Sequence, residues 1–314
     1  MSRRDNGGDA ALRPREGDDS MPVTEELVPF AVKTYRYLRL AIVVVVLAAV
    51  ASVVIERLHT DCWQESISAY YYTPVHSVFV GALVALGVSM IAIKGSTDVE
   101  DMLLNVAGVL APIVAFVPTS PPPSTCASTA FVGGDTKAFI DNNVLALAIG
   151  SGVAIVAACV VVAIGGNASI RKISAASVVG LLLGAALLAV GLIWYFGFRD
   201  SFLEHAHGWT AGVMFVLIGA VIVINVRGSR RVSRIRGTGR GYWVVYTVLL
   251  GVMVLSAVGV LIAKNVDPDW RHQILLLEIL ELLAFAVFWV MQTAEHWSGG
   301  VPTGDERAAR AAAA

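Results

Sequence analysis

Apolar residues run along this chain in blocks of roughly 20, and short polar or charged segments separate the blocks. A helix of about 20 apolar residues crosses the hydrocarbon core of a bilayer, whereas strands of a membrane barrel show short alternating segments. The pattern therefore predicts an all-α polytopic membrane bundle. Its eight transmembrane helices are expected at about residues 38–55, 77–93, 102–117, 143–164, 175–196, 209–226, 242–263 and 274–291.

Positive charge alternates between the two sides of this eight-helix arrangement. One side carries Lys33, Arg36, Arg39, Lys94, Arg171, Lys172, Arg227, Arg230, Arg231, Arg234, Arg236, Arg240, Arg307 and Arg310. The other carries only Arg57, Lys137, Arg199, Lys264 and Arg271. Cytoplasmic loops of membrane proteins carry an excess of Lys and Arg, so both termini are expected in the cytoplasm. The protein itself is expected in the plasma membrane. Residues 1–32 and 298–314 are expected to be disordered cytoplasmic tails around a transmembrane domain of residues 33–297.

Composition agrees with the membrane class and excludes one kind of partner. The chain is 56% hydrophobic and 15% charged, with a mean hydropathy of +0.71, whereas soluble domains carry about 25% charged residues. The formal net charge is −1, which gives no general attraction to nucleic acid. The Arg-rich segment Arg227–Arg240 could bind anionic lipid head groups, or it could serve only to set the topology.

Two carboxylates interrupt the last apolar helix. Glu278 and Glu281 are three residues apart, so they share one helix face. An ionised carboxylate in hydrocarbon is costly, and such residues usually face a protein interior or a wet cavity. The pair is therefore a candidate proton or substrate site, with His272 and His76 near the mouth of the same cavity. A structural hydrogen-bonded pair is the alternative.

Histidines concentrate on the side that carries few positive charges, and they suggest a possible metal site. His205 and His207 form the tightest pair, and in an extended segment both imidazoles would point the same way. A Zn²⁺-like ion could then bind, with His76, His272 or Glu278 as a third ligand. Other uses for these histidines are pH sensing and proton relay.

Two cysteines fall in loops on that same side. Cys62 lies in the first such loop and Cys126 in the second, so both are predicted to face an oxidising compartment. A disulfide between them would tie the two loops together, and two unrelated thiols are the alternative.

Small residues at Gly180 and Gly184 are predicted to let helices approach closely.

One long stretch resembles bacterial multi-pass membrane proteins that carry no assigned activity. The resemblance is carried by Glu65-Ser-Ile-Ser-Ala-Tyr-Tyr-Tyr-Thr-Pro, by Leu104-Asn-Val-Ala-Gly-Val-Leu-Ala-Pro and by His205-Ala-His-Gly-Trp. It covers most of residues 36–297 and implies a helical bundle without implying a mechanism.

The region of Ser68 and Ser77, together with the polar residues on the side with few positive charges, also resembles the CREST superfamily of intramembrane hydrolases. That family places a Ser, an Asp and three His around a zinc ion in a seven-helix bundle. In this chain the paired HxxxH of the late helix is absent, and Glu278-x-x-Glu281 stands in a comparable place.

Three functions are compatible with these observations. The first is binding or transport of a small solute or lipid, coupled to protonation of the Glu278/Glu281 pair. The second is a metal-dependent lipid hydrolase, which the CREST resemblance implies. The third is a membrane accessory protein without catalysis.

Overall fold

The computed structural model describes residues 23–119, 136–164, 175–236 and 240–297. This part of the chain is helical and contains no strand. The helices are α1 (Val23–Thr60), α2 (His76–Ala92), α3 (Asp98–Phe116), α4 (Thr136–Ile164), α5 (Ala175–Gly197), α6 (Arg199–Arg236), α7 (Arg240–Val266) and α8 (Gln273–Glu295). A 3-10 helix over Ser68–Tyr72, here named the tyrosine turn, lies between α1 and α2.

Seven of these helices are long and apolar enough to cross a membrane, which confirms the prediction of a multi-pass helical membrane protein. The exception is α2, a shorter apolar helix whose 17 residues span about 25 Å. α1 begins at Val23, inside the segment expected to be a disordered tail. α6 continues to Arg236, so most of the Arg-rich segment is helical instead of forming a loop.

Six helices form the packed core, and two lie at its side. α3 packs against α2 and α6, while α8 packs against α1 and α7. The largest buried cluster includes Ile42, Leu104, Ile222, Tyr246 and Trp289, which come from five of these helices. By contrast, the most apolar window of α4 has no buried residue, and that of α5 is 6% buried. α4 and α5 are therefore a peripheral pair that leaves most of its surface uncovered.

The two ends of the bundle differ in chemistry, and each is named here by a landmark. The tyrosine end carries the tyrosine turn, and the arginine end carries the Arg-rich end of α6. At the arginine end, Thr97 caps the first turn of α3, because its Oγ1 accepts a hydrogen bond from Glu100 N. The Glu100 carboxylate reaches back to Ser96 N at 2.7 Å. This local geometry turns the Glu100 side chain into the bundle.

Candidate functional site

The tyrosine turn holds the side chain of Glu278. Ile67 N donates to Glu278 Oε2 at 2.5 Å, and Ser68 N lies 3.4 Å from the same oxygen. The Ser68 hydroxyl lies 2.8 Å from Glu278 Oε1. A carboxyl group deep in an apolar helix thus meets three polar groups from a segment about 210 residues earlier in the chain.

The same hydroxyl also contacts a histidine. His207 Nε2 lies 2.7 Å from Ser68 Oγ, and His207 Nδ1 lies 2.8 Å from the carbonyl oxygen of Val117. A carbonyl oxygen can only accept, so Nδ1 carries a proton in this arrangement. Ser68 therefore connects a carboxyl group to an imidazole. Carboxyl, hydroxyl and imidazole in a row can pass a proton between Glu278 and His207 in two hydrogen-bonded steps.

The tyrosine turn itself is firmly packed. Tyr70 and Tyr71 are buried, and the Tyr72 hydroxyl donates to the carbonyl oxygen of Thr119 at 2.7 Å. Burial raises the pKa of Tyr72 to about 12, with a further contribution from Tyr71. This phenol is therefore neutral at physiological pH and remains a hydrogen-bond donor.

Glu281 has far fewer polar neighbours than Glu278. Its side chain is only 5% exposed. Oε1 lies 3.2 Å from the Ser256 hydroxyl of α7, and the buried Oε2 has no hydrogen-bond partner within the described ranges. A buried acceptor without a partner is costly, and its presence points to a role beyond packing.

Both carboxylates line one groove between α6, α7 and α8. Its volume is about 680 Å³, which lies within the range of small-molecule sites. His207 lines it from α6 and Lys264 from the end of α7. Further down, the walls are apolar or small: Gly208, Ala211, Gly212, Phe215, Val216, Gly219, Leu250, Met253, Val254 and Ala257. The groove therefore combines a polar end with a long apolar part, as an amphipathic ligand requires.

Glycines create part of this space. A Cβ atom added at Gly208 or Gly212 would meet no other atom within 4 Å. A second, apolar cavity of about 60 Å³ lies among α2, α3, α6 and α8, and Ser68 and Glu278 border it as well. Glu278 thus lies between an open groove and a small interior cavity.

The other predicted members of the Glu278/Glu281 site lie elsewhere. His272 Nε2 is 3.4 Å from the carbonyl oxygen of Trp63, outside the groove. His76 Nδ1 is 2.9 Å from the carbonyl oxygen of Tyr71, and its ring packs against the Tyr71 ring at a centroid distance of 4.2 Å. The structure therefore brings Glu278 and Glu281 to one groove but gives His76 and His272 other contacts.

The prediction of an extended segment around His205 and His207 is wrong, because both residues belong to α6. Residues two apart on a helix do not face each other. His207 is buried against Ser68, whereas His205 is half-exposed and contacts Glu204. The structure does not bring the two imidazoles together. No group of three His, Cys, Asp or Glu residues close enough to hold a metal is present in the part of the chain that the structure describes.

Two further predictions remain predictions. Cys62 is disulfide-bonded, whereas Cys126 lies outside the described residues. The lipid contact at Arg227–Arg240 also stays a prediction, and within this segment Arg230 stacks over the ring of Trp243 at 5.3 Å.

A buried polar cluster joins four helices at the arginine end. Asn225 Nδ2 donates to Glu100 Oε1 at 2.7 Å, and Gln292 Nε2 donates to Asn225 Oδ1 at 2.6 Å. Arg39 Nη1 donates to the carbonyl oxygen of Gln292 at 2.7 Å. These contacts join α1, α3, α6 and α8. In the sequence, Gln292 near the end of the last apolar helix was one signal of this cluster, and the Thr97-x-x-Glu100 pattern was another.

No family model, curated protein or solved structure matches this chain. Fold and site define it as a multi-pass helical membrane protein with two carboxyl groups in a groove between three of its helices.

Proposed function

We propose that this protein binds a small amphipathic solute or lipid in the groove between α6, α7 and α8, and that protonation of Glu278 and Glu281 is coupled to binding or transport. The observation that carries the proposal is that both carboxyl groups line the polar end of a groove whose remaining walls are apolar. A carboxyl group in such surroundings changes its affinity for a proton when a ligand enters. Binding and protonation are then thermodynamically linked.

We further propose eight spans with both termini in the cytoplasm. The tyrosine turn, which precedes α2, contacts Glu278 and His207 at the tyrosine end. Lys94, which follows α2, accepts a hydrogen bond from Tyr35 at the arginine end. α2 therefore connects the two ends despite its length, which supports counting it as a span. The positive charges of α6 favour a cytoplasmic location for the arginine end.

The first experiment fills the groove. Gly212→Leu places a side chain where the structure has open space. We expect the wild type in nonionic detergent to bind at least one of decyltrimethylammonium, decanol and decanoate above the uptake by empty micelles, and Gly212→Leu to bind it about 10-fold more weakly. Equilibrium dialysis measures this.

Gly251→Leu is the matched control. Gly251 also has open space around its Cβ position, but it does not line the groove. This variant should bind like the wild type. Coupling is tested by comparing affinity at about pH 5 and about pH 8, where a wild-type difference should vanish in the Glu278→Gln/Glu281→Gln double variant. Binding that ignores both Gly212→Leu and pH would contradict the proposal.

A second candidate function rests on one contact. Ser68 Oγ lies 2.7 Å from His207 Nε2, and the Val117 carbonyl orients the other ring nitrogen. A hydroxyl beside an oriented imidazole is the arrangement of a nucleophile and its base. This candidate predicts that a fluorophosphonate probe labels Ser68 covalently in the wild type and labels neither Ser68→Ala nor His207→Ala. Absence of labelling in the wild type would end it.

A further inference from the structure

We propose that the groove takes a lipophilic monovalent cation at Glu281, and that the cation enters in exchange for the proton that this carboxyl carries when the groove is empty. The inference rests on the proposed function and narrows it to one class of ligand and one residue. Glu281 Oε2 is buried, lines the groove and has no hydrogen-bond partner within the described ranges. The polar end of the groove therefore holds a carboxyl oxygen whose negative charge, once the proton leaves, a cationic ligand can compensate.

The contacts of Ser256 explain how the empty groove holds the proton. The Ser256 hydroxyl lies 2.9 Å from the carbonyl oxygen of Met253 and 3.2 Å from Glu281 Oε1. A hydroxyl has a single proton, so donation to the Met253 carbonyl leaves the Ser256 oxygen free to accept. A protonated Glu281 then donates to Ser256, and no buried charge remains.

The ionised form of Glu281 needs a cation. Ser256 is the one hydrogen-bond partner of this side chain among the described residues, so a carboxylate in this position would be a buried charge without compensation, which costs several kcal/mol. A positively charged head group beside Oε2 supplies the compensation. The exchange is balanced, because one cation enters and one proton leaves to the solvent. The O–H bond of the Glu281 carboxyl group is the one covalent bond that breaks.

The remaining titratable groups in the groove do not provide that compensation. Glu278 on the same helix is held by Ile67 and Ser68, and His207 on α6 by Ser68 and Val117. Lys264 on α7 lines the groove but is exposed. On α1, which also packs against α8, Glu56 and Arg57 influence the pKa of Tyr70 in the tyrosine turn, and neither residue lines the groove.

The shape of the groove favours a cation with an apolar tail. From Glu281 toward the arginine end, the groove is lined by Gly212, Phe215, Gly219, Leu250 and Val254. Gly212 and Gly219 are seven residues apart, about 10 Å along the axis of α6. An alkyl chain can lie along this wall while its head group contacts Glu281.

The test measures protons released on binding. Decyltrimethylammonium is permanently charged, so any proton released must come from the protein. It is added to wild-type protein in weakly buffered nonionic detergent with a pH indicator, and empty micelles provide the blank. We expect up to one proton per bound cation, and tighter binding than for decanol or decanoate. Affinity for the cation should also rise with pH, because fewer protons then compete.

Matched variants locate the effect. Glu281→Gln should release no proton and bind the cation at least about 10-fold more weakly. Glu204→Gln removes an exposed carboxylate outside the groove and should match the wild type. Size-exclusion chromatography checks that each variant is folded. If Glu281→Gln is misfolded, the rise of wild-type affinity with pH still tests the exchange.

The outcomes separate the two proposals. If none of the three decyl amphiphiles binds in a way that Gly212→Leu weakens, the proposed function fails and this inference fails with it. If decanol or decanoate binds as tightly, or the cation binds without releasing protons, only the cation exchange is overturned. Proton release that persists in Glu281→Gln overturns the assignment to this residue.

A free cation and a lipid head group share this chemistry. Repeating the measurement in nanodiscs distinguishes them. Competition by phosphatidylcholine, which carries a trimethylammonium group, would support the site with a lipid as the source. Full binding in both phosphatidylcholine and phosphatidylglycerol discs would support the site with a free cation as the source.

Discussion

Ser68 is the residue on which the polar site depends most directly. Its single hydroxyl contacts Glu278 and His207, and its backbone N–H lies near the same carboxyl group. A hydroxyl can donate one hydrogen bond and accept another, so it serves both neighbours at once. Neither neighbour has a substitute partner at that atom in the described contacts.

Ser68→Ala therefore leaves two buried polar atoms without their shared partner. We expect the free energy of unfolding to fall by about 1–3 kcal/mol, the usual cost of an unsatisfied buried group. Thermal unfolding in nonionic detergent, followed by near-ultraviolet circular dichroism, measures the loss. The control is Ser201→Ala, because the Ser201 hydroxyl accepts from Trp194 at an exposed position. Equal melting temperatures for Ser68→Ala and Ser201→Ala would contradict this account of Ser68.

At the scale of elements, the tightest contact that glycines create is between α2 and α3. A Cβ atom at Gly87 would lie 2.6 Å from the carbonyl oxygen of Gly108, and a Cβ at Gly108 would lie 2.6 Å from that of Gly87. Helices in membranes associate largely through such close packing, because apolar burial gives little driving force there. The expected Gly180–Gly184 pair is looser: a Cβ at Gly180 would meet Met102 at 3.5 Å, and one at Gly184 would meet nothing.

Gly87→Ala forces the two backbones apart, since the contacted atom belongs to the main chain and cannot rotate away. We expect a loss of about 1–3 kcal/mol in the free energy of unfolding, typical of overpacking. Gly81→Ala on the same helix is the control, because its Cβ would meet nothing within 4 Å. It should change stability by less than about 1 kcal/mol. Thermal unfolding of both variants in the same detergent measures the difference. If Gly87→Ala leaves the stability unchanged, α2 and α3 lie further apart than in this structure.

At the scale of the whole molecule, two polar clusters lie at opposite ends of an apolar bundle. Glu278, Ser68 and His207 meet at the tyrosine end, while Glu100 and Gln292 meet at the arginine end. Between them lie the main apolar core and a cavity of about 60 Å³ lined almost wholly by carbon. The polar part of the groove lies toward the tyrosine end, because His207 and Glu278 both contact Ser68 of the tyrosine turn.

Eight spans make a definite prediction for cysteine labelling. In a Cys159→Ala background, Asp267→Cys should react with a membrane-impermeant maleimide in intact cells. Lys33→Cys and Arg231→Cys should react only after permeabilisation, because both lie at the arginine end. If α2 does not cross, the N-terminus is outside and Lys33→Cys reacts in intact cells, whereas Arg231→Cys does not. Labelling of a band separated on a denaturing gel measures all three.

The sequence by itself determined that this is a helical membrane protein and roughly where its helices lie, because bilayer thickness sets helix length and the apolar blocks show it directly. It also identified Glu278 and Glu281, because a carboxylate is conspicuous in an apolar helix. The ends of the helices were predicted less accurately from the sequence. α1 begins earlier and α6 ends later than expected, because a helix can continue past the membrane surface in polar sequence.

Only the tertiary structure decided which residues meet. Ser68 and Glu278 are 210 residues apart, and Ser68 and His207 are 139 apart. No local rule of spacing links such positions. His207 was predicted as a partner of His205, but side chains two residues apart on a helix differ in direction by about 200°, so His207 contacts Ser68 instead. Hydrophobicity and length are properties of each segment alone, whereas a site at the junction of several helices depends on how those helices pack.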